Sequence, residues 1–122
     1  MSIWENNVYY HPEVHGLKVV ASLEYSSGSY EFDTRVVWRH ESGIVVTARD
    51  SGCSCPTPFE DYEGLYDLEH LYEPRQFDEL IYEAHGACDR HSESTAGDVI
   101  RFCDKMRELR REGIRNHLMA VG

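Results

Sequence analysis

A period of two governs the first half of the chain. Leu17, Val19, Ala21, Leu23 and Tyr25 alternate with Lys18, Val20, Ser22 and Glu24. Tyr30, Phe32, Thr34, Val36 and Trp38 alternate with Glu31, Asp33, Arg35, Val37 and Arg39, a run with charge at four of five outward positions. Successive strand side chains point to opposite faces, so both runs predict half-buried strands. Ser26-Ser27-Gly28-Ser29 separates them at hairpin length, and Glu41-Ser42-Gly43 turns the chain into a third strand, Ile44-Val45-Val46-Thr47-Ala48. Short links and clean alternation predict an antiparallel meander with one face wet. A further strand near Val8-Tyr9-Tyr10 would end at Pro12 and Gly16.

The second half changes period. Phe59 to Leu71 is acidic and interrupted by Gly64, which allows only a short helix. Pro74 suits a helix start; Phe77, Leu80, Ile81 and Ala84 then recur at helical spacing, and Gly86 suits a stop. Thr95 and Asp98 precede Val99, Phe102, Cys103, Met106 and Leu109, an apolar stripe that predicts another helix. Arg107, Arg110, Arg111 and Arg115 crowd its expected end, where the helix dipole favours positive charge, and Gly113 marks a stop or weak point. A sheet with one apolar face needs a cover. The chain therefore predicts an α+β fold: an antiparallel β-meander of three to four strands in the N-terminal half, covered by two to three C-terminal helices. A length of 122 residues gives one domain, with sheet over about 1–50, a Cys/Pro loop and acidic segment over 51–75, and helix over 76–122.

Charge narrows the partners. The formal net charge is −10. Residues 1–98 carry 19 acidic and 6 basic side chains, whereas residues 99–122 carry 3 acidic and 6 basic. Between Glu60 and Glu83 there are nine carboxylates against the single Arg75. Nucleic-acid affinity comes from basic residues, so direct binding to nucleic acid is disfavoured, and a protein with a basic surface is the expected partner. No run approaches the roughly 18 apolar residues of a membrane span. Met1-Ser2-Ile3-Trp4-Glu5-Asn6-Asn7 lacks the basic and apolar regions of a signal peptide, so a cytoplasmic location is expected. Four cysteines in that setting are expected as thiols or metal ligands, with Cys103 a small apolar core residue.

The densest local signal is Ser51-Gly52-Cys53-Ser54-Cys55-Pro56-Thr57-Pro58-Phe59-Glu60-Asp61-Tyr62. Together with Trp4-Glu5-Asn6-Asn7, Tyr9-Tyr10-x-Pro12-Glu13-x-x-Gly16-Leu17, Tyr30-x-Phe32-Asp33 and Val36-Val37-Trp38, it resembles a family of small uncharacterised proteins encoded by bacteriophages of actinobacteria. The resemblance covers roughly the first half of the chain. It implies a phage origin and expression inside an infected host, and assigns no chemistry.

The residues leave several readings open. Cys53 and Cys55, with His85 and Cys88 (and His91 beyond them), are candidate zinc ligands, because zinc takes about four nitrogen or sulfur donors in a tetrahedron. A single residue between the first two cysteines is short for such a site, since an extended chain aims them to opposite faces. In a structural reading, Gly52 turns the chain, Pro56 and Pro58 stiffen the exit from the third strand, and Phe59 staples the loop onto the sheet. A thiol nucleophile or redox pair at Cys53 or Cys55 would need a base among His40, His70 and His85, while the surrounding negative charge raises a thiol pKa. Glu60, Asp61, Tyr62 and Glu63 are candidate partner-binding residues, with Tyr66, Tyr72, Phe77 and Tyr82 as further aromatic anchors. Against that stands a solvated acidic face, or one paired with the arginine-rich last helix. The functional expectation is a phage accessory protein acting by protein binding, with no cofactor. The alternative is a zinc-binding or thiol-redox protein centred on Cys53 and Cys55.

Overall fold

The computed structural model describes residues 5–28, 30–53, 58–88 and 92–121, with the side chains of the last helix described to residue 113. The strands are β1 (Leu17–Glu24), β2 (Glu31–His40), β3 (Val45–Cys53) and β4 (Glu69–His70), followed by helices α1 (Pro74–Ala87) and α2 (Ala96–Val121). All neighbours pair antiparallel in the order β1-β2-β3-β4. This is the α+β meander with C-terminal helices that the alternation predicts. The β2–β3 turn needs Gly43, whose φ of 97° suits a residue without a Cβ.

Several boundaries differ from expectation. No strand forms at Val8. The Asn7 carboxamide oxygen accepts the N–H groups of Tyr9 and Tyr10 at 2.8 and 3.0 Å and curls the chain into a turn. The fourth strand is instead β4, inside the acidic segment, where His70 and Glu69 pair with Val46 and Thr47. Ser51, Gly52 and Cys53 belong to β3, opposite Asp33, Phe32 and Glu31, so the cysteine-rich stretch begins as strand and not as loop. Helix α2 passes through Gly113 without stopping.

The largest difference concerns the wet face, because both faces of the sheet are covered. Helices α1 and α2 pack on the face bearing Leu23, Tyr25, Val37 and Val45, using Phe77, Leu80, Ala84, Phe102, Met106 and Leu109. Val8, Phe59, Leu68 and the partly buried Tyr9, Tyr62 and Leu65 cover Leu17, Val36, Trp38, Val46 and Ala48 on the other. Alternation sets this division on β2 and β3, and a bulge splits β1 between the two cores. Val19 lies opposite Trp38, but Ala21 lies opposite Val37, so the extra residue Val20 shifts the strand phase by one. Leu17 and Leu23 look like one stripe in sequence, yet they enter different cores.

The helix starts follow from local chemistry. Pro74 opens α1, and the Gln76 side chain accepts the N–H groups of Tyr72 and Glu73 at 2.7 and 2.8 Å. Thr95 Oγ1 accepts the Asp98 N–H at 3.1 Å and Asp98 Oδ2 accepts the Thr95 N–H at 2.8 Å, a reciprocal cap for α2.

Candidate functional site

The segment after β3 is fixed to the sheet by Phe59. Its ring is fully buried, edge-on to Trp38 and Tyr62 and stacked on Tyr9. Burying a ring of this size stabilises the fold by about 2–3 kcal/mol. Its backbone is left-handed, at φ 59°, which is costly for a residue with a Cβ. Two polar anchors hold it there: Asp50 Oδ2 accepts the Phe59 N–H at 2.7 Å, and buried Asn7 donates Nδ2–H to the Phe59 carbonyl at 2.7 Å. The Tyr62 carbonyl accepts the Val8 N–H at 3.0 Å. The N-terminal turn and the segment from residue 58 thus form one layer on the sheet.

That layer sorts the partner-binding candidates. Asp61 and Glu63 are exposed, while Glu60 and Tyr62 are half-buried. Tyr62 packs in the second core, and burial raises its phenol pKa, with the charge of Asp50 adding to the effect. Phe77 is buried under the helices and offers no surface anchor. Tyr66, Tyr72 and Tyr82 are exposed.

Of the metal candidates, Cys53, His85 and Cys88 lie among the described residues. Cys53 is exposed at the end of β3, while Cys55 and His91 lie outside the described residues. Cys88 caps α1, its N–H donating to the Ala84 carbonyl at 3.3 Å. His85 Nε2 lies 3.6 Å from Cys103 Sγ, and burial pushes that thiol up, away from nucleophilic character. His40 and His70, the other candidate bases, contact Ser42 and Tyr72. Among the described residues no three His, Cys, Asp or Glu side chains converge in a way that could hold a metal.

Asp33 and Arg35, expected to face water on β2, instead join Arg49 of β3 in a closed charge network with helix α1. Arg35 donates Nε–H and Nη2–H to Glu83 of α1 at 2.9 and 2.7 Å, and the Tyr25 hydroxyl donates to the same carboxylate at 2.7 Å. Arg49 donates to both oxygens of Asp33 at 2.8 Å, lies 3.5 Å from Glu83 and sits over the Tyr25 ring. Burial raises the Glu83 pKa, but hydrogen bonds from Arg35 and Tyr25 and the charges of both arginines outweigh it and hold the carboxyl below its ordinary range. Tyr25 is raised by burial and by its bond to Glu83. Every member has a partner, so the cluster fixes α1 to the sheet rather than presenting a reactive group.

Between the sheet end and the two helices lies a cavity of about 460 Å³. Ile44, Val45, Leu71, Phe77 and Leu109 form its apolar walls. Tyr72, 76% exposed, lines it beside Glu73, as does an Arg39–Glu112 pair at 3.1 Å. The chain leading into Leu71 and Tyr72 is rich in carboxylates, and its part from 59 to 68 covers the other face of the sheet. Asp61, Glu63 and Glu69 are exposed and have no ion-pair partner among the described residues. Among the described residues, the carboxylates from 60 to 83 pair with the last helix only through Asp78, 3.2 Å from Arg110.

The model of a domain of unknown function, DUF7574, matches residues 6–111. The chain belongs to the DUF7574 family. No curated protein and no solved structure matches it. The matched span of this DUF7574 domain contains Asn7, the Phe59 staple, the Glu83 network and nearly the whole cavity wall. Sequence reasoning missed Asn7, the Glu83 network and the cavity. The network left a trace: Arg35 and Arg49 sit in strands at positions of the inward phase of Val37 and Val45. Asn7 left none, because an asparagine near a chain end has the composition of any loop.

Proposed function

We propose that this DUF7574 domain is a bacteriophage accessory protein that acts in the cytoplasm of an infected actinobacterial host by binding a protein with a basic surface. The phage assignment rests on the resemblance of the first half of the chain. The binding reading rests on one observation: an apolar cavity of about 460 Å³ is lined by exposed Tyr72, on the same stretch of chain as Asp61, Glu63 and Glu69, exposed carboxylates without an ion-pair partner among the described residues. Cavities in this size range, apolar with a few polar groups at the mouth, take a ligand or an anchoring side chain. Tyrosine is enriched among residues that dominate interfaces, and complementary charge at the rim speeds and orients docking. The partner is a protein whose lysines or arginines flank an apolar side chain. That side chain enters the cavity, and the basic groups meet the 60–73 segment.

Affinity capture from lysate of infected host cells, using the full chain, tests this. The triple variant Glu60→Lys, Asp61→Lys, Glu63→Lys is expected to lose the captured protein, and Ile44→Asp at the cavity wall is expected to lose it too. Ile44 is only half covered, so the thermal melt serves as the control for folding. Retention of the same partner by both folded variants overturns the proposal.

A further inference from the structure

A second groove, of about 600 Å³, runs between α1 and α2. Its α1 wall carries Ile81, Tyr82 and His85, and its α2 wall carries Arg107, Arg110 and Arg111. We propose that this groove binds a compact phosphate ester, the phosphoryl group on the arginines and an organic portion against Tyr82.

The arginines need an explanation that the rest of the fold does not supply. Charge–dipole compensation acts within the last helical turn, but α2 continues from Arg111 to Val121. Positions 107, 110 and 111 lie on one helix face at i, i+3 and i+4, where like charges destabilise one another. Internal neutralisation is partial. Arg107 meets Asp104 at 3.0 Å and Arg110 Nε meets Asp78 at 3.2 Å, whereas Arg111 is exposed and has no carboxylate partner among the described residues. Three guanidinium groups against one lining carboxylate, Asp78, make this groove a basic site on a chain of net charge −10. Concave low-dielectric walls focus such a field.

The geometry favours phosphate over other anions. The guanidinium fork donates paired N–H groups to phosphate oxygens, and several arginines on one wall match the several oxygens of a phosphoryl dianion. Tyr82, 82% exposed at the groove wall, offers a ring face on which a base can stack. The overall negative charge of −10 repels an extended polyanion. The ligand is therefore a single phosphate ester, either a free nucleotide or the terminal phosphate of a short strand.

Titration calorimetry on the full chain, with adenosine 5′-monophosphate, inorganic phosphate, unphosphorylated adenosine and a 5′-phosphorylated trinucleotide, tests the assignment. Saturable binding of the monophosphate is expected, with weaker binding of phosphate and none of adenosine. Binding by the trinucleotide but not by the mononucleotide identifies a strand end as the source; the reverse identifies a free nucleotide. The pair Arg107→Ala, Arg111→Ala should weaken monophosphate binding at least about tenfold, about 1.4 kcal/mol, with the melt kept within a few degrees. Tyr82→Ala should weaken the monophosphate but leave inorganic phosphate unchanged. Absence of saturable binding by every phosphorylated ligand, or equal binding by the arginine-deleted variant, overturns the proposal.

Discussion

Replacing Glu83 by Gln keeps the side-chain volume and removes one charge. Arg35 and Arg49 lie directly opposite each other across β2 and β3, and Glu83 is the carboxylate both of them reach. Like charges facing across a strand pair are destabilising. With Glu83 neutral, Arg35 also loses its charged partner while only 14% exposed. Breaking a fully buried pair costs about 3–5 kcal/mol; the 21% exposure of Glu83 admits some solvent screening, which lowers the expectation to about 2–3 kcal/mol. Unfolding entropy near 2.1 cal/mol/K per residue gives about 0.26 kcal/mol/K for 122 residues, so the melting temperature should fall by about 8–12 °C. Glu108→Gln is the control, because its pair with Lys105 is a partly exposed i,i+3 contact worth at most about 0.5 kcal/mol. The assay is a reversible thermal melt monitored by circular dichroism at neutral pH. The Glu83→Gln deficit should persist in about 0.5 M salt, since partly buried pairs are weakly screened. A loss no larger than that of Glu108→Gln would show that the network does not fix α1 to the sheet.

The pH dependence has a definite sign. Glu83 is held low as described; Asp33 is held low by hydrogen bonds from Arg49; in Glu24, burial raises the pKa but bonds from Ser26, Thr34 and the Asp33 N–H bring it below the ordinary range. The unfolded chain therefore binds protons more tightly, so this stability is fully present above the unfolded carboxylate values of about 4 and is lost as pH falls through the lower folded values. Melts from neutral pH to about pH 3 should show that decline, and Glu83→Gln should show a shallower one. Asn7→Ala removes the side chain that accepts from Tyr9 and Tyr10 and donates to the Phe59 carbonyl, and should cost about 1–3 kcal/mol in chemical denaturation. Thr95→Ala should cost about 1 kcal/mol through the lost α2 cap, and Thr95→Ser should restore most of it. A chelator should leave the melt unchanged and elemental analysis should find no stoichiometric zinc. A one-to-one zinc content would revive Cys53, Cys55, His85 and Cys88 as ligands.

The fold class was legible because alternation and helical spacing are local properties. The β2 run, the hairpin at Gly43, the Pro74 start and the Thr95–Asp98 cap all stand where their residue types place them. What escaped depended on tertiary geometry. Nothing local in Leu17 to Tyr25 announces the bulge at Val20, yet that residue decides which core each side chain enters. Charge at Arg35 and Asp33 read as solvent exposure, because a charged residue signals water unless its partner is known, and Glu83 is distant in sequence. Of the binding candidates, Asp61 and Glu63 are exposed as expected, while Tyr62 is drawn inward by Phe59 and Tyr72 takes the exposed position beside the cavity.

Photocrosslinking from position 72 tests the central functional claim most directly. A benzophenone amino acid at Tyr72, with the same substitution at Tyr30 as the control, places a probe on the cavity lining and at a comparably exposed site, 76% against 85%. Irradiation in infected host lysate should yield a discrete adduct with a basic protein from position 72 alone, and Ile44→Asp should abolish it. The same adducts from both positions, or none from position 72, would contradict the account.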